Sequence, residues 1–192
     1  MIDSNTPVIV GVGQYTDRLD ASDYRGLSNV ELAAESARRA CEDAASVDKL
    51  AAHIDGIASL RTFEDSTPRY STPFGKSNNF PHSIARRLGV TPKVAVWAPV
   101  GGDSPQTMVA EFCEKIASGA VKMALVVGAE AISTAKHLIA ETSRRTGPRA
   151  STPLWTIAAW RSKDSARDTT GNTGSCRRPI PIRSSRTRAV AV

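Results

Sequence analysis

Gly101-Gly102-Asp103-Ser104 is the stretch of this 192-residue chain best suited to hold a ligand. It follows the apolar run Val94 to Ala98 and leads through Pro105 into a segment with helical spacing. Two glycines allow a tight turn, Asp103 or Ser104 can cap the helix, and Pro105 fits a first position that needs no amide donor. Such a turn places main-chain amides and a positive helix end at the carboxyl edge of a sheet, where ligands of these folds sit. Covalent chemistry there also needs a nucleophile with a base in reach. Ser104 is the only hydroxyl at the turn, no base is visible beside it, and capping accounts for it better.

The remaining nucleophile and base candidates are scattered. Cys41, Cys113 and Cys176 fit neither a metal-binding spacing nor a disulfide framework. Cys113 falls about two and a half turns into the helix on its apolar face, and Cys41 reads as a small core residue. His53, His82 and His137 have no partner at ligand or triad spacing and read as surface or packing residues.

The elements that would position the turn follow from periodicity. Met108, Val109, Phe112, Cys113, Ile116 and Ala117 recur on one helical face, and Gly119 ends that helix. Met123 to Val127 is a continuous apolar run of the kind found in a parallel strand covered on both faces, closed by Gly128. Strand, helix and strand make a βαβ unit and an α/β class. Upstream, Pro7 to Val12 predicts a first strand. Gly11 and Gly13 lack the further glycine of a dinucleotide fingerprint, because position 16 is Thr16, so they are read as freeing a loop.

Ser28 and Glu31 form a capping box opening a helix to about Ala45, with Leu32, Ala33, Ala37, Ala40, Cys41 and Ala44 inside. Val47 to His53 predicts a short helix, and Ile54 to Leu60 a second strand entered through Gly56. Arg61 to Asn79 reads as a long loop. Asn78 or Asn79 caps a helix through Pro81, Ile84, Ala85 and Leu88 that stops at Gly89.

With 41% hydrophobic residues the composition is that of an ordinary globular protein, and no apolar run approaches the ~18 to 20 residues of a membrane span. The first residues lack the features of a signal peptide, so a reducing cytoplasm is expected. The net charge of +6 is unevenly spread. Residues 1–142 hold 14 Lys and Arg against 17 Asp and Glu, whereas residues 143–192 hold 11 against 2. From Ser143 onward there is no sustained period and no Glu, so a basic, disordered tail is expected. Its scarcity of aromatics beside the arginines speaks against nucleic acid.

Four motifs carry a family resemblance: GVGQY near the start, DGIASL at 55–60, VGGDSPQ at 100–106 and VVGAEAIST at 126–134. Together, over roughly residues 7–140, they resemble the thiolase superfamily, and within it the thiolase-like acetyl-CoA acetyltransferases of actinobacteria. The resemblance implies a thiolase-like N-terminal half, with a mixed, mostly parallel sheet and helices on both faces. It also implies a CoA thioester as substrate, acyl-CoA held near Gly101, Gly102, Asp103 and Ser104, no separate cofactor, and pairing as a homodimer or within a thiolase-like complex. The loop at 61–79 would help line the substrate channel and the dimer contact.

In catalytic members a cysteine starts the helix and carries the acyl group. The family spacing counted back from Gly128-Ala129-Glu130 places that position at Gly102, which has no side chain to attack with. The second half of the fold, which supplies a His and a second Cys, is not in this sequence. The resemblance therefore implies an acyltransferase relative in a truncated, inactive form. A non-catalytic subunit binding acyl-CoA or sterol-type thioesters and a cysteine-independent lyase of the same fold are the alternatives. Because the resemblance stops abruptly, residues 1–142 are taken as an incomplete domain. The basic tail is then a frame-shift product or, less favoured, a natural extension.

Overall fold

The computed structural model describes residues 5–66, 75–146 and 188–191. The elements in chain order are β1 (Gly13–Tyr15), α1 (Asn29–Ala44), α2 (Val47–Leu50), β2 (Gly56–Leu60), α3 (Phe63–Ser66), α4 (Phe80–Leu88), β3 (Val94–Ala98), α5 (Ser104–Ala117), β4 (Ala124–Glu130), α6 (Ile132–Thr146) and β5 (Arg188–Ala191). They build one mixed sheet of order β1-β5-β4-β2-β3. Strand β2 is parallel to both β3 and β4, and β5 is antiparallel to β1 and β4. The expected βαβ unit is therefore present, with β2 inserted between its two strands.

Helix α1 starts where its chemistry dictates. The Ser28 amide donates to Glu31 Oε2 at 2.9 Å, and the Ser28 hydroxyl accepts from the Glu31 amide. The Ser28 hydroxyl, donating to Glu31 Oε2 at 2.7 Å, and then the Ser28 amide hold the Glu31 carboxyl below its usual range. Asn79 caps α4 by accepting the His82 amide, and Gly89 closes it in a left-handed conformation at φ 69°. The alanine face of α1 lies buried against the sheet with Leu32, Ile57, Leu125 and Val127. Cys41 belongs to that core, where burial pushes its thiol pKa up.

The other face is less covered. Met108 and Phe112 of α5 pack with Ala58, Ala98 and Val121. Along β4 the residues alternate, Leu125, Val127 and Ala129 buried and their neighbours only half-buried. The expectation of strands buried on both faces thus holds for one face, because among the described residues α5 covers only part of the second. Of the predicted apolar face of α5, Met108 and Phe112 are buried and Cys113 is half-buried.

Three strand expectations are corrected. Residues 7–12 form no strand: Val8, Ile9, Val10 and Val12 are more than half exposed, and the Val12 amide donates to Asp43 Oδ2 at 2.9 Å. Strand β5 offers partners only opposite Gly13 to Tyr15. Gly128 does not close β4, since the ladder with β5 carries it on to Glu130. Gly11 and Gly13 do not free a loop either. A Cβ on Gly13 would lie 2.2 Å from the Ser36 carbonyl oxygen, and one on Gly11 would lie 2.3 Å from that of Ala40. They are glycines because α1 runs against them.

The long loop contains α3, a turn of helix fixed by Thr62, whose hydroxyl accepts the Asp65 amide at 3.2 Å. Helix α6 extends to Thr146, beyond the expected boundary at 142, and Arg188–Ala191 forms β5. The expectation of a structureless tail is corrected at those two places. Four residues suffice for a strand where two neighbouring strands offer unpaired backbone groups on either side. The rest of the tail, with Cys176, lies outside the described residues. Among those described, no helix is long and apolar enough to cross a membrane.

Candidate active site

The carboxyl ends of β2, β3 and β4 converge on the start of α5, as the parallel pairing of these strands requires. They enclose a cleft of about 780 Å³. Its lining comes from Leu60 at the end of β2, Arg61 and Phe63 after it, Val100, Gly101 and Gly102 before α5, Pro105, Gln106 and Val109 on the helix, and Val126 to Glu130 on β4. The walls are largely apolar, and Arg61 and Glu130 bring the charge.

The four residues singled out from sequence divide here. Gly101 and Gly102 line the cleft, whereas Asp103 and Ser104 are not among its lining residues. Asp103 occupies the N-cap position yet makes no side-chain capping bond. Ser104 is the first helical residue, only 8% exposed, which places Pro105 second. Capping by either side chain is thus corrected: the backbone at Asp103 is in the helical region, ψ −16°, rather than the extended one that aims a cap side chain at the helix amides. In the first turn the Ser104 and Thr107 amides donate to the Gly101 and Asp103 carbonyls and Pro105 has no N–H, which leaves the Gln106 amide without a capping side chain. A Cβ at Gly102 would meet nothing within 4 Å, so the turn leaves open space where the resemblance places a nucleophile.

Cys113 lines a different cavity, with Val8, Ile9, Val10 and Met123. His53 and His82 are exposed, and His137 lies edge-on to Tyr24 and 3.7 Å from Glu141. Among the described residues no three His, Cys, Asp or Glu gather as a metal site.

Two residues not proposed as site residues stand out. Arg61 holds its guanidinium over the Trp97 ring at 4.9 Å, a cation-π contact that keeps a positive charge at the cleft rim. Glu130, at the end of β4, accepts the Phe63 amide at 2.9 Å. Burial pushes its pKa up to about 7; the Phe63 amide pulls the other way, and Asp65 and Glu64 add to the rise. The sequence signal for both was their position one residue past or at the end of a parallel strand, at the ligand-binding edge.

The raised pKa has a sign that can be checked. Between the ordinary carboxyl range and pH 7 the folded protein binds a proton at Glu130 that the unfolded chain has released, so stability falls as pH rises through that window. Glu130→Gln keeps an acceptor for Phe63 and removes the charge. Allowing for solvent screening at this partly exposed group, the variant is expected to be more stable than the parent by about 1–2 kcal/mol at pH 8. At pH 5 the difference should shrink towards zero. Urea unfolding at the two pH values measures it, and an equal difference at both would refute the assignment.

Solved structures with this architecture are thiolase-like. A monomeric SCP2-thiolase-like protein type 1 from Mycobacterium smegmatis matches with a TM-score of 0.55 and 42% identity, over 68% of this chain and 25% of that one. 3-Oxoacyl-(acyl-carrier-protein) synthase III from Aquifex aeolicus matches with a TM-score of 0.50 and 18% identity, over 65% and 45% of the two chains. An acetyl-CoA acetyltransferase from Syntrophomonas wolfei aligns at a TM-score of 0.47 and 20% identity, over 66% and 29%. No protein-family model and no curated protein sequence matches.

The class is therefore an α/β protein of the thiolase-like fold. Over the part that aligns, the chain is a thiolase-like protein, as the motifs implied. It spans about a quarter of the length of the Mycobacterium smegmatis relative.

Proposed function

We propose that this chain is an acyl-CoA acyltransferase relative that binds acyl-CoA in the cleft before α5 and does not turn it over. The observation carrying this reading is the cleft itself. Apolar walls, the positive end of α5 and Arg61 at the rim suit a thioester with an anionic nucleotide part, and the resemblance places a thiol where Gly102 stands. Residues 101 and 102 contact the ligand in this reading, and Asp103 and Ser104 shape the turn. Acyl-CoA is the only cofactor-like group invoked, and a cytoplasmic location accords with the reading.

Calorimetric titration with acetyl-CoA tests it. Saturable binding is expected, and Gly102→Trp, which would project into the cleft, should weaken it at least tenfold while leaving the unfolding midpoint near the parent value. No binding by the parent, or equal binding by the variant, would defeat the proposal.

A second reading, a subunit that pairs with a copy of itself or another thiolase-like chain, is favoured by the half-covered α5 face and by Val8, Ile9 and Val10 standing in solvent. Self-association is expected in light scattering, although the Mycobacterium smegmatis relative is described as monomeric. A compact, soluble, strictly monomeric species would count against pairing. In either reading Arg188–Ala191 is part of the fold, paired with Val127–Glu130 of the cleft wall.

A further inference from the structure

We propose that this chain takes up an extended apolar peptide strand from another polypeptide, in a gap that the sheet leaves between residues 8–12 and the first half of β4. Uptake does not depend on what fills the cleft before α5, and it gives the exposed Val8 to Val10 segment a partner other than a second copy.

The gap follows from the strand registers. Strand β5 lies between β1 and β4, with Ala191 opposite Gly13 on one side and Val127 on the other. Strand β4 begins earlier, at Ala124, and there it is paired only on its far side, with β2. Carrying both registers onward sets the missing positions opposite Val12, Gly11, Val10 and Ile9 on one side and Val126, Leu125, Ala124 and Met123 on the other. Among the described residues β5 reaches none of them. Residues 11–13 stay in line with β1, because Gly11 and Gly13, alternate positions of an extended chain, both lie against the α1 backbone.

The space is open on both faces. On the α5 side a cavity of about 460 Å³ has Ile9 and Val10 on one flank, Met123 and Ala124 on the other, and Phe112 and Ile116 beneath. On the α1 side a smaller one of about 40 Å³ again includes Val10 and Ala124, with Ala40 and Ala44 above. The opening therefore passes through the sheet, where a strand would lie.

The backbone on both flanks is turned for pairing. Within a strand the N–H and C=O of one residue point to the same side, and the side alternates from residue to residue. The Met123 carbonyl accepts the Gly56 amide of β2 at 3.1 Å, so Ala124 and Val126 turn their groups the other way, into the gap. Opposite, the Val12 amide donates to Asp43 Oδ2 and the Gln14 carbonyl accepts from Arg39, both on the outer edge, so Gly11 and Ile9 turn theirs inward. Unpaired groups beside an apolar opening are a template for an added strand, with main-chain bonds giving affinity and the two floors choosing side chains.

The same features define the occupant. It runs as β5 does, antiparallel to β4, and it carries uncharged, apolar residues on both faces, since α1 and α5 present alanine, phenylalanine and isoleucine to it. A second copy lacks a strand to donate, because all five described strands are already in its own sheet.

The test is fluorescence anisotropy of a labelled peptide, Lys-Gly-Val-Ile-Val-Val-Gly-Lys, titrated with the full chain. Saturable binding is expected, and the same peptide N-methylated at alternate apolar residues, which keeps its side chains but loses ladder donors, should bind at least about tenfold more weakly. On binding, the Ala124 and Gly11 amides should gain protection from hydrogen exchange, whereas those of Leu125 and Val127, turned towards β2, should not change. Alkylation of Cys113, which lines the cavity, should slow when the peptide is present, and Cys113→Trp should weaken uptake. Equal binding of the methylated peptide, unchanged exchange at Ala124, or an Ala124 amide already protected without peptide would overturn the proposal. So would a dimer that excludes the peptide, which would assign the gap to a second copy.

Discussion

Gly13→Val is expected to cost at least about 3 kcal/mol of stability, among the largest effects any single side chain can have in this chain. Even the first carbon of the new side chain would sit 2.2 Å from the Ser36 carbonyl oxygen and 2.3 Å from the Ala40 amide nitrogen. Both are backbone atoms of α1, a helix buried along a whole face, so neither can move aside as a flexible side chain would. Relief requires α1 to lift from β1, which would uncover the alanine face packed on the sheet. Gly102→Ala is the matched control, because its Cβ meets nothing within 4 Å, and its effect should stay within about 0.5 kcal/mol. Urea unfolding of the two variants separates the readings. A Gly13→Val protein as stable as the parent would mean that β1 does not lie under α1 as described.

Acyl transfer is the second large effect, and here the expected result is its absence. After incubation with acetyl-CoA, intact-mass spectrometry should find no acetyl adduct on the parent, and CoA release should stay at background. Nothing stands at Gly102 to attack a thioester, Cys113 lines another cavity, and Cys41 is buried with its thiol pKa raised. Gly102→Cys fits the open space and places a thiol at the positive end of α5, where its pKa should fall. A single-turnover adduct is the most it should give. Sustained turnover would still lack the His and second Cys that the resemblance assigns to the other half of the fold, a deficit of about 10²- to 10⁴-fold or more. An adduct on Cys113, or CoA release abolished by Ser104→Ala, would show that the reaction centre has been misplaced.

Much of this architecture was legible because its signals are local. The capping box at Ser28 and Glu31, the Asn79 cap and the Gly89 stop depend on bonds spanning three or four residues, and each lies where the spacing put it. The strand at Val94–Ala98 has the bounds its apolar run implied. The Gly101-Gly102 turn reached the ligand edge because a βαβ connection can deliver it nowhere else. Helix α6 was missed, although Ala135, Leu138 and Ile139 recur at helical spacing, because its outer positions are rich in Ser, Thr and Arg.

What the sequence by itself determined is the class of chain, the order of its main helices and strands, and the glycine turn that leads into α5. What only the tertiary structure decided depends on residues far apart in the chain. Gly11 and Gly13 lie under α1, Arg188–Ala191 enters the sheet between β1 and β4, and Phe63 meets Glu130 across 67 positions. Local pattern cannot announce such meetings. A glycine needed for close approach reads like one needed for a turn, and a carboxylate at a strand end reads as solvated until burial and like charges raise its pKa.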